Sequence, residues 1–433
     1  MLFLRRKPLG PFDLSAILLT LAAAFGFINY RWLKLPSTIA LFFEGLVLAL
    51  LVSGADSVAA TLGIGNWLRH LIEQISLPDI LLDGILSLLL YAAAVNEDLC
   101  ALLKRKWTVL ALATLGVLMF TALMGVGLHV VFGLVGIGVP LIWCLVLGAA
   151  IAPTDPVAVH GILERLPVPD TLRSVISGES LFNDGVGVVA FVTLLHLATG
   201  SEQDLTVGEV AFDFLKEAFG GAALGFAGGW VAYQVKRRVD ESTVELTVSL
   251  ALALGTYSLA NQLGVSGPIA VVVAGLLIGY TTESHVSSDE SRRDLRVVWA
   301  MIDAVLNALL FLLVGLEATM GISWTVPALL AALLAIPLSL AARLFSLTPA
   351  LLMHMGRTGK TSALVVLTWA GLRGGIAVAL VLSLPEGPYR DPILAVCYAA
   401  VAFSILVQGL TLEPIGRRLY GGKGGGAGRT GGG

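Results

Sequence analysis

Windows of about 20 predominantly apolar residues, the length that crosses a hydrocarbon layer as a helix, can be cut along almost the whole chain. Thirteen fall at 13–30, 36–53, 80–100, 107–132, 139–161, 171–197, 208–235, 243–262, 266–281, 295–317, 325–347, 360–384 and 391–412. In lipid, backbone polar groups must be satisfied internally, so such stretches read as helices. Composition agrees: mean hydropathy is +0.88, and 13% of the 433 residues are charged, well under the roughly 25% of a soluble domain. The chain is read as an all-α integral membrane protein with about 13 transmembrane helices. Segment 57–77, with Trp67, Arg69, His70 and Glu73, is too polar to span and reads as an interfacial helix or loop.

Lys and Arg alternate between the two sets of loops, as they should if one set is cytoplasmic. One set holds Arg31 and Lys34, Lys104 to Lys106, Arg165 and Arg173, Lys236 to Arg238, Arg292, Arg293 and Arg296, Arg357 and Lys360, and Arg417 with Arg418. The other holds little beyond Arg69, Lys216 and Arg390. This puts the C-terminus in the cytoplasm and, with an odd number of spans, the N-terminus outside. The basic start Arg5-Arg6-Lys7 is outvoted by the later loops. No soluble domain and no removable signal peptide is expected, and the Gly-rich stretch 421–433 reads as a flexible tail. Cys100, Cys144 and Cys397 are isolated and lack metal spacing.

Against this background three carboxylates within thirty residues, Asp155, Glu179 and Asp184, mark an ion pathway or proton relay, because acids at bilayer depth are expensive and rarely kept without a role. Asp155 lies in Pro153-Thr-Asp-Pro156. Two prolines in four positions remove donors and push the preceding residues out of α geometry, so this helix should be broken there. Unwound backbone at that depth frees carbonyls such as that of Thr154, a candidate cation ligand beside Asp155. In the next span Glu179 and Asn183, and likewise Ser180 and Asp184, stand four apart on neighbouring stripes of one helix. The twelfth window carries Gly371-Leu-Arg-Gly-Gly375, where Arg373 needs a buried partner; Glu179 is the expected one.

The fifth and twelfth windows cross in opposite senses, and each is interrupted near its centre. Paired interruptions point to a transporter site at an inverted-repeat interface, in the manner of NhaA. Spans 4–6 and 11–13 would be the repeats.

Three segments then resemble one family. Gly148-Ala-Ala-Ile-Ala-Pro-Thr-Asp-Pro-Val-Ala-Val159, Ser177-Gly-Glu-Ser-Leu-Phe-Asn-Asp184 and Leu367-Thr-Trp-Ala-Gly-Leu-Arg-Gly-Gly-Ile376 are similar to the signature segments of NhaP-type Na+/H+ antiporters of the monovalent cation/proton antiporter superfamily. The similarity runs from about residue 13 to 418 and includes Phe403 to Leu410. It implies an NhaA-like inverted-repeat fold with two discontinuous crossing helices. An ion-translocating core would cover 107–197 and 325–412, a dimerisation domain 13–100 and 208–317, and the protein would be a homodimer in the inner (plasma) membrane. It implies exchange of Na+, and also Li+, for H+ by alternating access, with no cofactor and no nucleic-acid partner. Asp155 and Asp184 would bind the ion, completed by Ser180, the Thr154 carbonyl and Glu179. Asn183 would be the structural partner of Asp155, and Arg373 the arginine bridged to Glu179. Electrogenic relatives carry a second aspartate at the Asn183 position, so one cation per proton is the expected stoichiometry.

A K+/H+ antiporter of the same fold is the alternative reading. An intramembrane aspartyl protease is a remote one, since its aspartates occupy Tyr-Asp and Gly-x-Gly-Asp contexts, unlike Thr-Asp-Pro and Asn-Asp-Gly here. A cation channel is also remote. Glu44, Asp303 with Asn307, and His160 are membrane polar groups outside the assigned site.

Overall fold

A computed structural model describes residues 11–58, 84–155, 159, 161, 163, 166, 168–200, 207–239, 241–282, 289–318, 324–354 and 360–420. The basic start, segment 57–77 beyond Val58, Pro156, His160 and the Gly-rich tail lie outside the described residues. Helices run as α1 (Pro11–Ile28), α2 (Ser37–Val58), α3 (Leu86–Val95), α4 (Leu99–Lys104), α5 (Lys106–Leu134), α6 (Leu141–Ile151), α7 (Asp170–Thr199), α8 (Val207–Lys236), α9 (Ser242–Leu263), α10 (Gly267–Thr281), α11 (Asp289–Glu317), α12 (Val326–His354), α13 (Lys360–Trp369), α14 (Gly375–Leu382) and α15 (Arg390–Tyr420). No strand occurs among the described residues. Every apolar window contains at least one helix. Eight helices are long and apolar enough to cross a membrane, and α3, α6 and α10 are shorter apolar helices.

Local chemistry sets the ends. The pair of windows around Gly264 resolves into α9 and α10, separated at Gly264 by a left-handed φ of 65° that glycine adopts without a Cβ penalty. Ser266 caps α10 by accepting from the Ile269 amide at 3.4 Å, with Pro268 in the first turn. Asp98 caps α4 in the same way, accepting from Ala101 at 3.0 Å.

The helices pack in two sets. In one, α5, α6, α7, α12, α14 and α15 surround a continuous apolar core holding Phe120, Phe132 and Leu147. In the other, α3, α8, α9, α10 and α11 gather around Tyr91 and Trp299, where the indole donates to the Ser249 hydroxyl at 2.9 Å and Ser249 donates to Tyr91 at 3.0 Å. Helix α2 lies along α11. A Cβ at Gly45 would come within 2.8 Å of the Leu312 carbonyl, so glycine is what allows the two backbones to approach.

Lys236, counted among the loop cations, is turned inward. Its ammonium meets Glu245 at 2.9 Å and donates to the Thr282 hydroxyl at 2.8 Å, joining the ends of α8, α9 and α10. A buried ammonium in an apolar medium must be paired, and these groups pair it.

Candidate ion-binding site

Both interruptions are present, and they touch. Helix α6 stops at Ile151 and the chain runs non-helically through Asp155; helix α13 stops at Trp369 and α14 begins at Gly375. Pro153 stops α6 because it cannot donate to the preceding turn. The two breaks are joined where the Asp155 amide donates to the Leu372 carbonyl at 2.8 Å. A Cβ on Gly374 would overlap the Asp155 carboxylate. Asp155 is thus set against the first turn of α14, whose unpaired amides and dipole suit a negative group.

Arg373 is buried, but its partner is not Glu179. The guanidinium donates to the Ala152 and Pro153 carbonyls, the latter at 3.0 Å, and stacks 4.3 Å from the Phe120 ring centroid. Its backbone amide donates to the Ser404 hydroxyl at 2.7 Å. The reason is the break itself. The last carbonyls of α6 have no helical partner, and a cation at a helix C-terminus satisfies both their hydrogen-bonding and their dipole.

Glu179 is instead bound by Arg343 of α12 in a buried ion pair. The Arg343 side chain runs beside Gly371, where a Cβ would lie 2.8 Å from its Nε, so the first glycine of the Gly371 to Gly375 motif makes room for it. Sequence reasoning missed Arg343. The signal was present, a lone arginine within the apolar window 325–347, the same argument that singled out Arg373.

The remaining polar groups of α7 converge on the α6 break. Asn183 donates to the Thr154 hydroxyl at 2.8 Å and accepts from the Thr154 amide at 3.3 Å, and the Thr154 and Ser180 hydroxyls are 2.9 Å apart. Asn183 therefore pairs with Thr154, the neighbour of the Asp155 expected as its partner. An amide offers both a donor and an acceptor, matching the hydroxyl and amide of Thr154 at once. Thr154, Asp155, Glu179, Ser180, Asn183 and Asp184 are all buried. Both oxygens of Asp184 are buried without a hydrogen-bond partner among the described residues, and the like charge of Asp155 is within electrostatic reach of it. A buried carboxylate without a hydrogen-bond partner is costly unless a proton or a cation neutralises it.

The other membrane polar groups stand apart. Asn307 donates to the Asp303 carbonyl and carboxylate at 2.8 and 3.0 Å, one turn away on α11. Glu44 is buried on α2 with neither oxygen hydrogen-bonded among the described residues.

A helical membrane architecture with two touching helix breaks and buried acids at their crossing defines a secondary ion transporter. Residues 17–418 match the family described as "Sodium/hydrogen exchanger, transmembrane". The chain is 40% identical to the Na(+)/H(+) antiporter NhaP of Pseudomonas aeruginosa, over 95% of this chain and 97% of that protein. It is 33% identical to the Na(+)/H(+) antiporter NhaH of Halobacillus dabanensis, over 93% and 97%. The fold is similar to that of the sodium proton antiporter MjNhaP1 from Methanocaldococcus jannaschii, with a TM-score of 0.71, 18% identity and coverage of 94% and 97%. The chain belongs to the sodium/hydrogen exchanger family, and is a multi-pass membrane transporter and not an enzyme.

Proposed function

We propose that this protein exchanges Na+, and also Li+, for H+, one for one, and that the two ions compete for Asp184 and Asp155. The observation that carries the reading is the Asp184 carboxylate, buried with no hydrogen-bond partner among the described residues and beside a second acid. The relatives' names give Na+ as their substrate. Hard oxygen donors suit such an ion. Asp184 and Asp155 would supply charge, and the Ser180 hydroxyl and the Thr154 carbonyl neutral oxygens. Asn183 and Arg373 hold the break in shape, and Glu179 positions α7 through Arg343 in place of serving as a ligand.

Alternating access follows if the site crosses the membrane only when neutralised, since a bare carboxylate pair resists transfer through an apolar environment. The helices of 107–197 and 325–412 are the moving core, those of 13–100 and 208–317 the dimer-forming frame, and thirteen segments cross the membrane with the C-terminus cytoplasmic and the N-terminus outside. The setting is the plasma membrane of the cell.

The test is cation-driven proton movement in proteoliposomes with a preset pH gradient, with Na+, Li+ and K+ added in turn. Dissipation by Na+ and Li+, lost in Asp184→Asn, is expected. A response to K+ alone would assign the K+/H+ reading, and full activity in Asp184→Asn would overturn the site.

A further inference from the structure

Between α7, which carries Asp184, and α8 lies a cleft of about 780 Å³. Leu118 of α5, Val186 and Ala190 of α7, Phe214 and Phe219 of α8 and Val273 of α10 are among its lining, and no charged side chain takes part. Its polar side chains are three threonines, and the hydroxyls of Thr114 and Thr193 are spent on carbonyls of their own helices at 2.7 and 2.8 Å. Such a surface holds hydrocarbon in preference to water, which needs polar partners to stay in a cavity.

Beside the cleft lies a second cavity of about 200 Å³, with Thr193 and Val210 common to both linings. The chemistry changes there. His196, Asp213, Lys216 and Glu217 line it, and Glu217 is within electrostatic reach of the other three. A dry cleft of ligand size beside a small chamber with both signs of charge matches one class of molecule in a bilayer. We propose that the cleft and chamber form a binding site for a phospholipid with a primary-amine headgroup. An acyl chain fills the cleft, the phosphate faces Lys216 and His196, and the ammonium donates to Asp213 and Glu217.

The two carboxylates select the headgroup. A primary ammonium carries N–H donors for charge-assisted hydrogen bonds. A trimethylated amine has none. A glycerol headgroup leaves the lipid's net negative charge opposite two acids, which costs free energy. The bound lipid would join α7 of the ion-carrying set to α8 of the other, so its occupancy would bear on how easily the two sets slide.

The experiment is native mass spectrometry of the full-length protein incubated with ethanolamine, choline and glycerol phospholipids of matched chains. The readout is independent of transport, so it fails separately from the exchange reading. An about tenfold preference for the ethanolamine lipid over the choline lipid is expected, the effect of one charge-assisted hydrogen bond. Asp213→Asn with Glu217→Gln should remove the preference while leaving the dry lining intact, and Ala218→Trp should lower retention of all three. Equal retention of the three lipids, or a preference that survives the double variant, would overturn the proposal. So would disulfide-linked dimers of Phe219→Cys in a Cys100→Ser background, which would seat a second copy in the cleft.

Discussion

Asp184 and Glu179 lie five residues apart on α7, and their surroundings give them different work. Glu179 is matched by a guanidinium; Asp184 has no hydrogen-bond partner among the described residues and is the group proposed for the ion. A single group that binds either a proton or a cation makes the two compete, because the ligand must be deprotonated to hold the metal. The apparent KM for Na+ should therefore rise as pH falls, approaching about tenfold per pH unit at the acid end, while the maximal rate at saturating Na+ stays level. Initial rates over a matrix of pH and Na+ check this; a KM independent of pH would separate the proton site from the cation site. The Arg343 pair makes a second prediction. Removing one member of a buried pair strands the other and costs about 3–5 kcal/mol, whereas replacing both with apolar residues is often close to neutral. Arg343→Met should lower the unfolding temperature sharply and Arg343→Met with Glu179→Met should recover most of it, as measured by thermal unfolding in detergent.

At the scale of the element, the crossing of the two interrupted helices is what places Asp155. Gly374 has φ −110°, a value open to any residue, so its role is steric: its missing Cβ makes room for the Asp155 carboxylate. Gly374→Ala is expected to fold and insert, since overpacking by one methyl costs about 1–3 kcal/mol, yet to displace Asp155 and weaken Na+. A raised KM with normal yield would support this; unchanged kinetics would show that the glycine serves the chain path alone. The breaks were legible in the sequence because proline and glycine act locally on their own backbone. So was the placing of Glu179, Ser180, Asn183 and Asp184 along one helix, which rests on helical period. The pairings were not. Whether Glu179 meets Arg343 or Arg373, and Asn183 meets Thr154 or Asp155, depends on how segments far apart in the chain pack. Spacing within one helix carries no information on that. Lys236 is the same lesson at a helix end, a cation assigned to water by its position beside Arg237 and Arg238 and found paired inside.

At the scale of the molecule, the charge carried per cycle follows from what else at the site could titrate. Asn183 stands one residue before Asp184 and pairs with Thr154; its amide does not ionise, so it supplies no proton. Arg373 is committed to the α6 carbonyls, and Glu179 to Arg343. In the proposed one-for-one exchange Asp184, whose carboxylate has no hydrogen-bond partner among the described residues, alternates between proton and cation, and one cation would leave for each proton that enters. Under that proposal the loaded site would have the same charge in both directions, and a membrane potential would do no net work on the cycle. Moving one unpaired charge through 100 mV would be worth about 2.3 kcal/mol, enough to change rates severalfold. Exchange in proteoliposomes clamped with a potassium ionophore at zero and at about 100 mV of either sign should therefore proceed at equal rates. Acceleration in one direction and slowing in the other would mean that a second proton moves, and Asp155, the other acid proposed for the ion, would be its carrier. Asp155→Asn would then convert the potential-sensitive exchange into an insensitive one, whereas in a one-for-one exchanger the same change would remove one of the two carboxylates proposed to hold the cation and abolish transport.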